Sequence, residues 1–178
     1  MAGSVTLRGH RHKRRDDLID EHPWGDGGQI VLALLFFVVW IGDVFLLHGT
    51  TWLTAYVPLF VRIPIGAAIL ITAGWLALTG LRIVFDEERA EPCVIRKGVF
   101  GFVRHPIYLS EILLYLGMLT LGISLAAAAV LVIACAFLHF ISRYEEKQLL
   151  DRFGPEYRRY MADVPMWIPR ITRGARSR

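Results

Sequence analysis

Four apolar stretches, set between segments crowded with charge, constrain this chain more than any other feature. They cover residues 29–47, 63–85, 107–121 and 124–140. A helix needs about 20 apolar residues to cross a bilayer, with roughly 17 as the lower limit. The first two stretches meet that requirement easily. The last two are short and share the connection Gly122-Ile123-Ser124, which predicts a helical hairpin. The expected fold is an all-α integral membrane protein with about four transmembrane helices. Composition agrees: 54% of the 178 residues are hydrophobic and only 20% are charged, away from the balance of a soluble domain.

Basic residues orient these spans. Arg8, Arg11, Lys13, Arg14 and Arg15 precede the first span, Arg89, Arg96, Lys97 and Arg104 lie between the second and third, and Arg143, Lys147, Arg152, Arg158 and Arg159 follow the fourth. The two remaining connections hold only Arg62 between them. Positive charge accumulates on the cytosolic side, so both termini are expected there. This also accounts for the net charge of +4. No nucleic-acid-binding motif accompanies it, and no nucleic-acid partner is expected. Cys93 falls in a polar connection and Cys135 within a span, which argues against a disulfide framework. The first span is long, lacks a small-residue cleavage site, and reads as a retained helix. The chain thus divides into a polar arm (1–28), two spans with their connections (29–92), a region that concentrates chemistry (93–170) and a basic tail (171–178).

Ionisable groups within spans are costly and usually face the protein interior. Asp43 is expected to pair with Arg62 or Arg82. Glu111, one turn beyond Tyr108, either lines the same cavity as the residues below or serves packing alone.

Two blocks carry the chemistry. The first is Val94-Ile95-Arg96-Lys97-Gly98-Val99-Phe100-Gly101-Phe102-Val103-Arg104-His105-Pro106-Ile107-Tyr108. Proline is favoured in the first turn of a helix, so Arg104 and His105 should stand at a helix start, which attracts carboxylates. Alone, the block reads more readily as a basic interface anchor followed by a helix cap. The second block begins Arg143-Tyr144-Glu145-Glu146 as the fourth span leaves the membrane. Leu149, Leu150, Phe153, Tyr157 and Tyr160 then recur at three- and four-residue spacing, and Val164-Pro165 follows. That spacing predicts a cytosolic amphipathic segment. Both blocks fall on one side of the membrane. Together they supply cations for a carboxylate, carboxylates for an ammonium or ribose hydroxyls, and aromatic rings for a base.

Gly-Val-Phe, Arg-His-Pro-x-Tyr, a hairpin, Glu-Glu, Phe-Gly-x-x-Tyr-x-x-Tyr and Val-Pro, in that order, resemble the isoprenylcysteine carboxyl methyltransferase family and the related phospholipid methyltransferases. The resemblance covers residues 93–169. It implies a membrane methyltransferase that uses S-adenosylmethionine without a Rossmann domain, and the chain has no Gly-x-Gly-x-x-Gly fingerprint. By position, the resemblance assigns Cys93, Val94, Ile95, Phe100, His105, Pro106, Tyr108 and Glu145 to the cofactor. Arg104, His105, Arg143 and Glu146 are the candidate catalytic residues, and no metal is expected. Relatives acting on prenylcysteine carboxylates carry an arginine four residues before the first matched glutamate. This chain has Ile141 there, and its nearest arginine, Arg143, is about 200° further around a helix.

The expected function is methyl transfer to a lipophilic or membrane-associated carboxylate, thiol or lipid head group. The competing readings are an NADPH-dependent membrane reductase, since sterol reductases resemble this family, and a non-catalytic scaffold of the same fold.

Overall fold

The computed structural model describes residues 25–85 and 93–169, which form five α-helices. These are α1 (Gly25–Ile41), α2 (Leu59–Phe85), α3 (Pro106–Gly122), α4 (Leu125–Phe153) and α5 (Pro155–Asp163). Most of the polar arm, Arg89 and the basic tail lie outside the described residues. Three segments are long and apolar enough to cross a membrane: Gly27–Leu47, Leu59–Phe85 and Leu125–Phe153. The third expected span is the 17-residue α3, at the lower limit. Exposed Leu34, Val38, Ile71 and Val132 give the long helices apolar outer faces, as lipid contact requires.

Glycine and alanine bring α2 and α3 together. Gly66, Ala73 and Gly80 recur every seven residues on the buried face of α2. A Cβ on Gly66 would lie 2.7 Å from Leu121 Cδ2 and 3.3 Å from the Gly117 carbonyl, and one on Gly117 would lie 2.7 Å from Leu70. Near the other end, Gly80 faces Ile107 and Pro106. With lipid on the outside, this close backbone approach is what holds such helices in contact. Gly117→Leu is therefore expected to cost at least the ~1–3 kcal/mol of core overpacking. Thermal unfolding in detergent checks it.

The expected hairpin is a connection more than a packed pair. Helix α3 lies chiefly along α2, and α4 packs on α1. Side chains of α1 fill the space between α3 and α4: Phe36 stacks on Tyr115 with centroids 4.5 Å apart, in a core with Trp40, Ala127, Val130 and Ala134. The turn itself is tight. Ile123 adopts φ 39°, and Ser124 caps α4 by accepting from the Ala127 N–H.

Asp43 does not pair with an arginine. It lies in a π-helical turn, Gly42–Leu47, that ends the first span. Its carboxylate accepts from Ser124 Oγ at 2.5 Å, from the Thr50 N–H at 3.0 Å and from the Thr50 hydroxyl. Arg62 instead donates to the Leu121 carbonyl at 2.7 Å, at the negative end of α3. Glu111 accepts from Tyr115 one turn along its own helix. Hydroxyls from two loops satisfy Asp43 without a second buried charge.

Candidate active site

At the opposite end of α3 the chain enters the helix through a 3₁₀ turn, Gly98–Gly101, and Gly98 has φ +57°. Pro106 occupies the first helical turn, as expected, and His105 is the N-cap residue. Buried Val103 and Pro106 anchor this entry and direct Arg104 and His105 inward.

Helix α4 runs past the apolar stretch without a break and carries Glu145 and Glu146 to the same place. His105 lies between them. Its Nδ1 is 3.6 Å from Glu145 Oε2, and its Nε2 is 3.4 Å from Glu146 Oε1. The Tyr108 hydroxyl donates to Glu145 Oε1, and the His105 and Tyr108 rings are parallel within 6° at 5.7 Å. The expected meeting of the Arg-His-Pro-Ile-Tyr turn with the twin glutamates is therefore present.

Arg104 has a different setting from the rest. Its Nε donates to Glu146 Oε1 at 2.6 Å, and its Nη1 donates to the Met161 and Val164 carbonyls at 3.0 and 2.5 Å. Its backbone N–H donates to the Pro165 carbonyl at 2.9 Å. Arg104 thereby ties the start of α3 to α4 and to the chain leaving α5. The second oxygen of Glu146 is buried with no hydrogen-bond partner among the described residues, and Arg143 Nη1 stands 3.9 Å from it. Arg143 is exposed, whereas Ile141 is buried in the helix interface.

The apolar residues beyond Glu146 fold over this end. Gly154, at φ +53° and ψ −123°, breaks the helix between α4 and α5, a conformation that only glycine adopts without strain. Tyr157, Tyr160 and Val164 then form a cluster with Val94, Leu149, Leu150, Phe153 and Met161. Burial raises the phenol pKa of Tyr157 and pushes that of Tyr160 up to about 12. Both remain neutral at physiological pH, and Tyr160 donates to the Phe100 carbonyl at 2.7 Å. Val94 and Phe100 are thus placed by their contacts to α5. Ile95 is half-buried beside them in sequence, and Cys93 is exposed.

Three residues of this region carried no signal in the sequence beyond charge or aromaticity. Arg96 covers the Tyr160 ring at 5.4 Å and donates to the Glu156 carbonyl. Trp167 lies 5.9 Å from the His105 ring, and its indole donates to His139. Only the neighbouring Val-Pro pair drew attention to that segment.

These features define an all-helical protein with membrane-length spans and a buried cluster of ionisable groups at one end of them. Residues 68–151, just under half of the chain, match the model of the isoprenylcysteine carboxyl methyltransferase family, in line with the resemblance of its motifs. The match reaches back into α2, further than the motifs alone, and stops before α5. The chain is 30% identical over 125 residues to the cobalt-zinc-cadmium resistance protein CzcN of Cupriavidus metallidurans, covering 68% of this chain and 53% of that one. It is 26% identical over 112 residues to the nickel-cobalt-cadmium resistance protein NccN of Alcaligenes xylosoxydans xylosoxydans, covering 60% and 53%. It is 38% identical over 85 residues to methanethiol S-methyltransferase 1 of Bradyrhizobium diazoefficiens, covering 47% and 28%. The chain spans about half the length, or less, of these curated relatives. No solved structure matches it.

Proposed function

We propose that this protein is an integral membrane methyltransferase that uses S-adenosylmethionine and methylates a lipophilic acceptor at the cytosolic face. The observation that carries the reading is the convergence of His105, Tyr108 and Glu145 across α3 and α4. The family match and the methanethiol S-methyltransferase relative support it.

The donor set fits the cofactor. Glu145 offers a carboxylate to an ammonium group or to ribose hydroxyls, and the paired rings of His105 and Tyr108 offer an aromatic surface. Cys93, Val94, Ile95, Phe100 and Pro106 complete the set in this reading. The bound cofactor supplies a methyl group on a positively charged sulfur, already a good leaving group. The protein's task is then to orient the reactants and exclude water. Arg104 acts here as a positioning residue, since its contacts hold Glu146 and the chain after α5. Glu146 in turn supports His105. In this reading His105 or a glutamate takes the proton from an acceptor that carries one, and Arg143 faces the acceptor.

Two relatives are named for metal resistance. Among the described residues no group of three or more His, Cys, Asp or Glu is placed to hold a metal ion.

Calorimetric titration of the full chain in nanodiscs with S-adenosylhomocysteine is expected to show saturable binding. Methyl-labelled cofactor added to membranes containing the protein should label the lipid extract. Absence of both, or NADPH-dependent reduction in their place, would remove this reading.

A further inference from the structure

We infer that Gln148 reads the base of the cofactor, its side-chain amide oxygen accepting a hydrogen bond from the exocyclic amino group of adenine. The inference rests on the methyl-transfer reading above and assigns a specificity-determining residue within that site.

Gln148 is half-buried on α4, yet its Oε1 is shut away from solvent and has no hydrogen-bond partner among the described residues. An amide oxygen in that state has given up its bond to water and gained nothing in return. Buried polar groups are nearly always paired, and an unpaired one calls for a partner. The contacts that hold this end of the fold leave the amide out. Glu145 and Glu146 meet Arg104, His105 and Tyr108, and the next residues, Leu149 and Leu150, pack on the cluster of α5.

Position on the helix decides which part of a ligand Gln148 meets. Glu145 and Gln148 are three residues apart, so their side chains are neighbours on one face, with Cβ atoms about 5–6 Å apart. Gln148 stands about 4.5 Å further along α4, away from the apolar stretch that precedes Glu145. It therefore faces the water-soluble end of a ligand and not a lipid chain. A nucleoside has ribose hydroxyls at one end and the polar edge of its base at the other. Glu145 accepts from Tyr108, and a carboxylate has about four acceptor sites, which leaves capacity for the ribose hydroxyls. Gln148, one turn on, then lies beside the base.

The chemistry of the amide selects adenine. Its oxygen accepts from the exocyclic amino group while its N–H donates to an adjacent ring nitrogen, a pairing that glutamine makes in two-point contact. A carboxylate at the same place could accept from the amine but could not donate to the ring.

The test titrates the full chain in nanodiscs calorimetrically, with empty discs subtracted. The probes are S-adenosylhomocysteine and its analogue with unsubstituted purine in place of adenine. Wild type is expected to bind the adenine compound about tenfold or more tightly, because the analogue leaves a buried oxygen unpaired. Gln148→Met, of similar reach but without the amide, should bind the two compounds alike. Gln148→Glu keeps an oxygen acceptor and should retain a preference for adenine. A side chain that only packs would change both affinities together and leave their ratio unaltered.

Equal binding of the two compounds by wild type overturns the inference and leaves the cofactor site in place. So does an undiminished preference in Gln148→Met, or its disappearance in Gln148→Glu. Where Gln148→Met fails to fold, the wild-type ratio decides by itself. A wild type that binds neither compound overturns the methyl-transfer reading and the base contact with it.

Discussion

Arg104→Ala is expected to destabilise the protein by about 3–5 kcal/mol, the cost of removing one partner of a buried ion pair. The side chains of Arg104 and Glu146 are 8% and 3% exposed, so neither is rescued by solvent. Loss of the guanidinium would leave the Glu146 carboxylate in the interior with the 3.4 Å approach of His105 and the 3.9 Å approach of the exposed Arg143. It would also strip the Met161 and Val164 carbonyls of their donor. The sign of a second variant makes the prediction sharper. Arg104→Leu combined with Glu146→Leu removes both charges and should be less destabilised than Arg104→Ala alone. Thermal unfolding in detergent measures both. A wild-type melting temperature for Arg104→Ala would show that the three-way tie contributes nothing to the fold.

Glu145→Ala should behave in the opposite manner, with binding lost and stability kept. Glu145 is 27% exposed on its side chain and lies at the rim of the cluster, so its removal opens the site without orphaning a buried charge. A hydrogen bond to a charged group contributes about 1.5–3 kcal/mol. Loss of that contact predicts roughly 10- to 100-fold weaker S-adenosylhomocysteine binding. Tyr108→Phe removes the donor that orients Glu145 and should weaken binding less. The double variant should match Glu145→Ala, because the two residues act as one unit. Calorimetry on the three variants, each with a normal melting temperature, is the check. Additive losses would mean that Tyr108 touches the ligand independently of Glu145.

The sequence made the centre of this site readable because proline and the apolar spans restrict the chain so strongly. Pro106 places Arg104 and His105 at a helix start, and the length of the fourth apolar stretch sets where Glu145 and Glu146 emerge. The partners of these groups were not readable. Arg104 is held largely by carbonyl oxygens of Met161 and Val164, and a backbone acceptor leaves no trace in residue identity. Asp43 suggested an arginine because charge is conspicuous, yet Thr50 and Ser124 satisfy it from two separate loops. The pairing of α3 with α2 was hidden for a related reason. Gly66 and Gly117 matter through the side chains they lack, and each looks ordinary within its own helix.

The uninterrupted run of α4 has a mechanical consequence. Its 29 residues make a rod about 43 Å long, some 13 Å more than the hydrocarbon layer. Glu145, 20 residues after Leu125, stands about 30 Å along that rod, level with one boundary of the oil when Leu125 meets the other. Membrane thickness therefore works as a depth gauge for the chemistry. Thin bilayers lift the carboxylates into water, thick ones draw them under, and the lipid chain length that aligns them should support the fastest turnover.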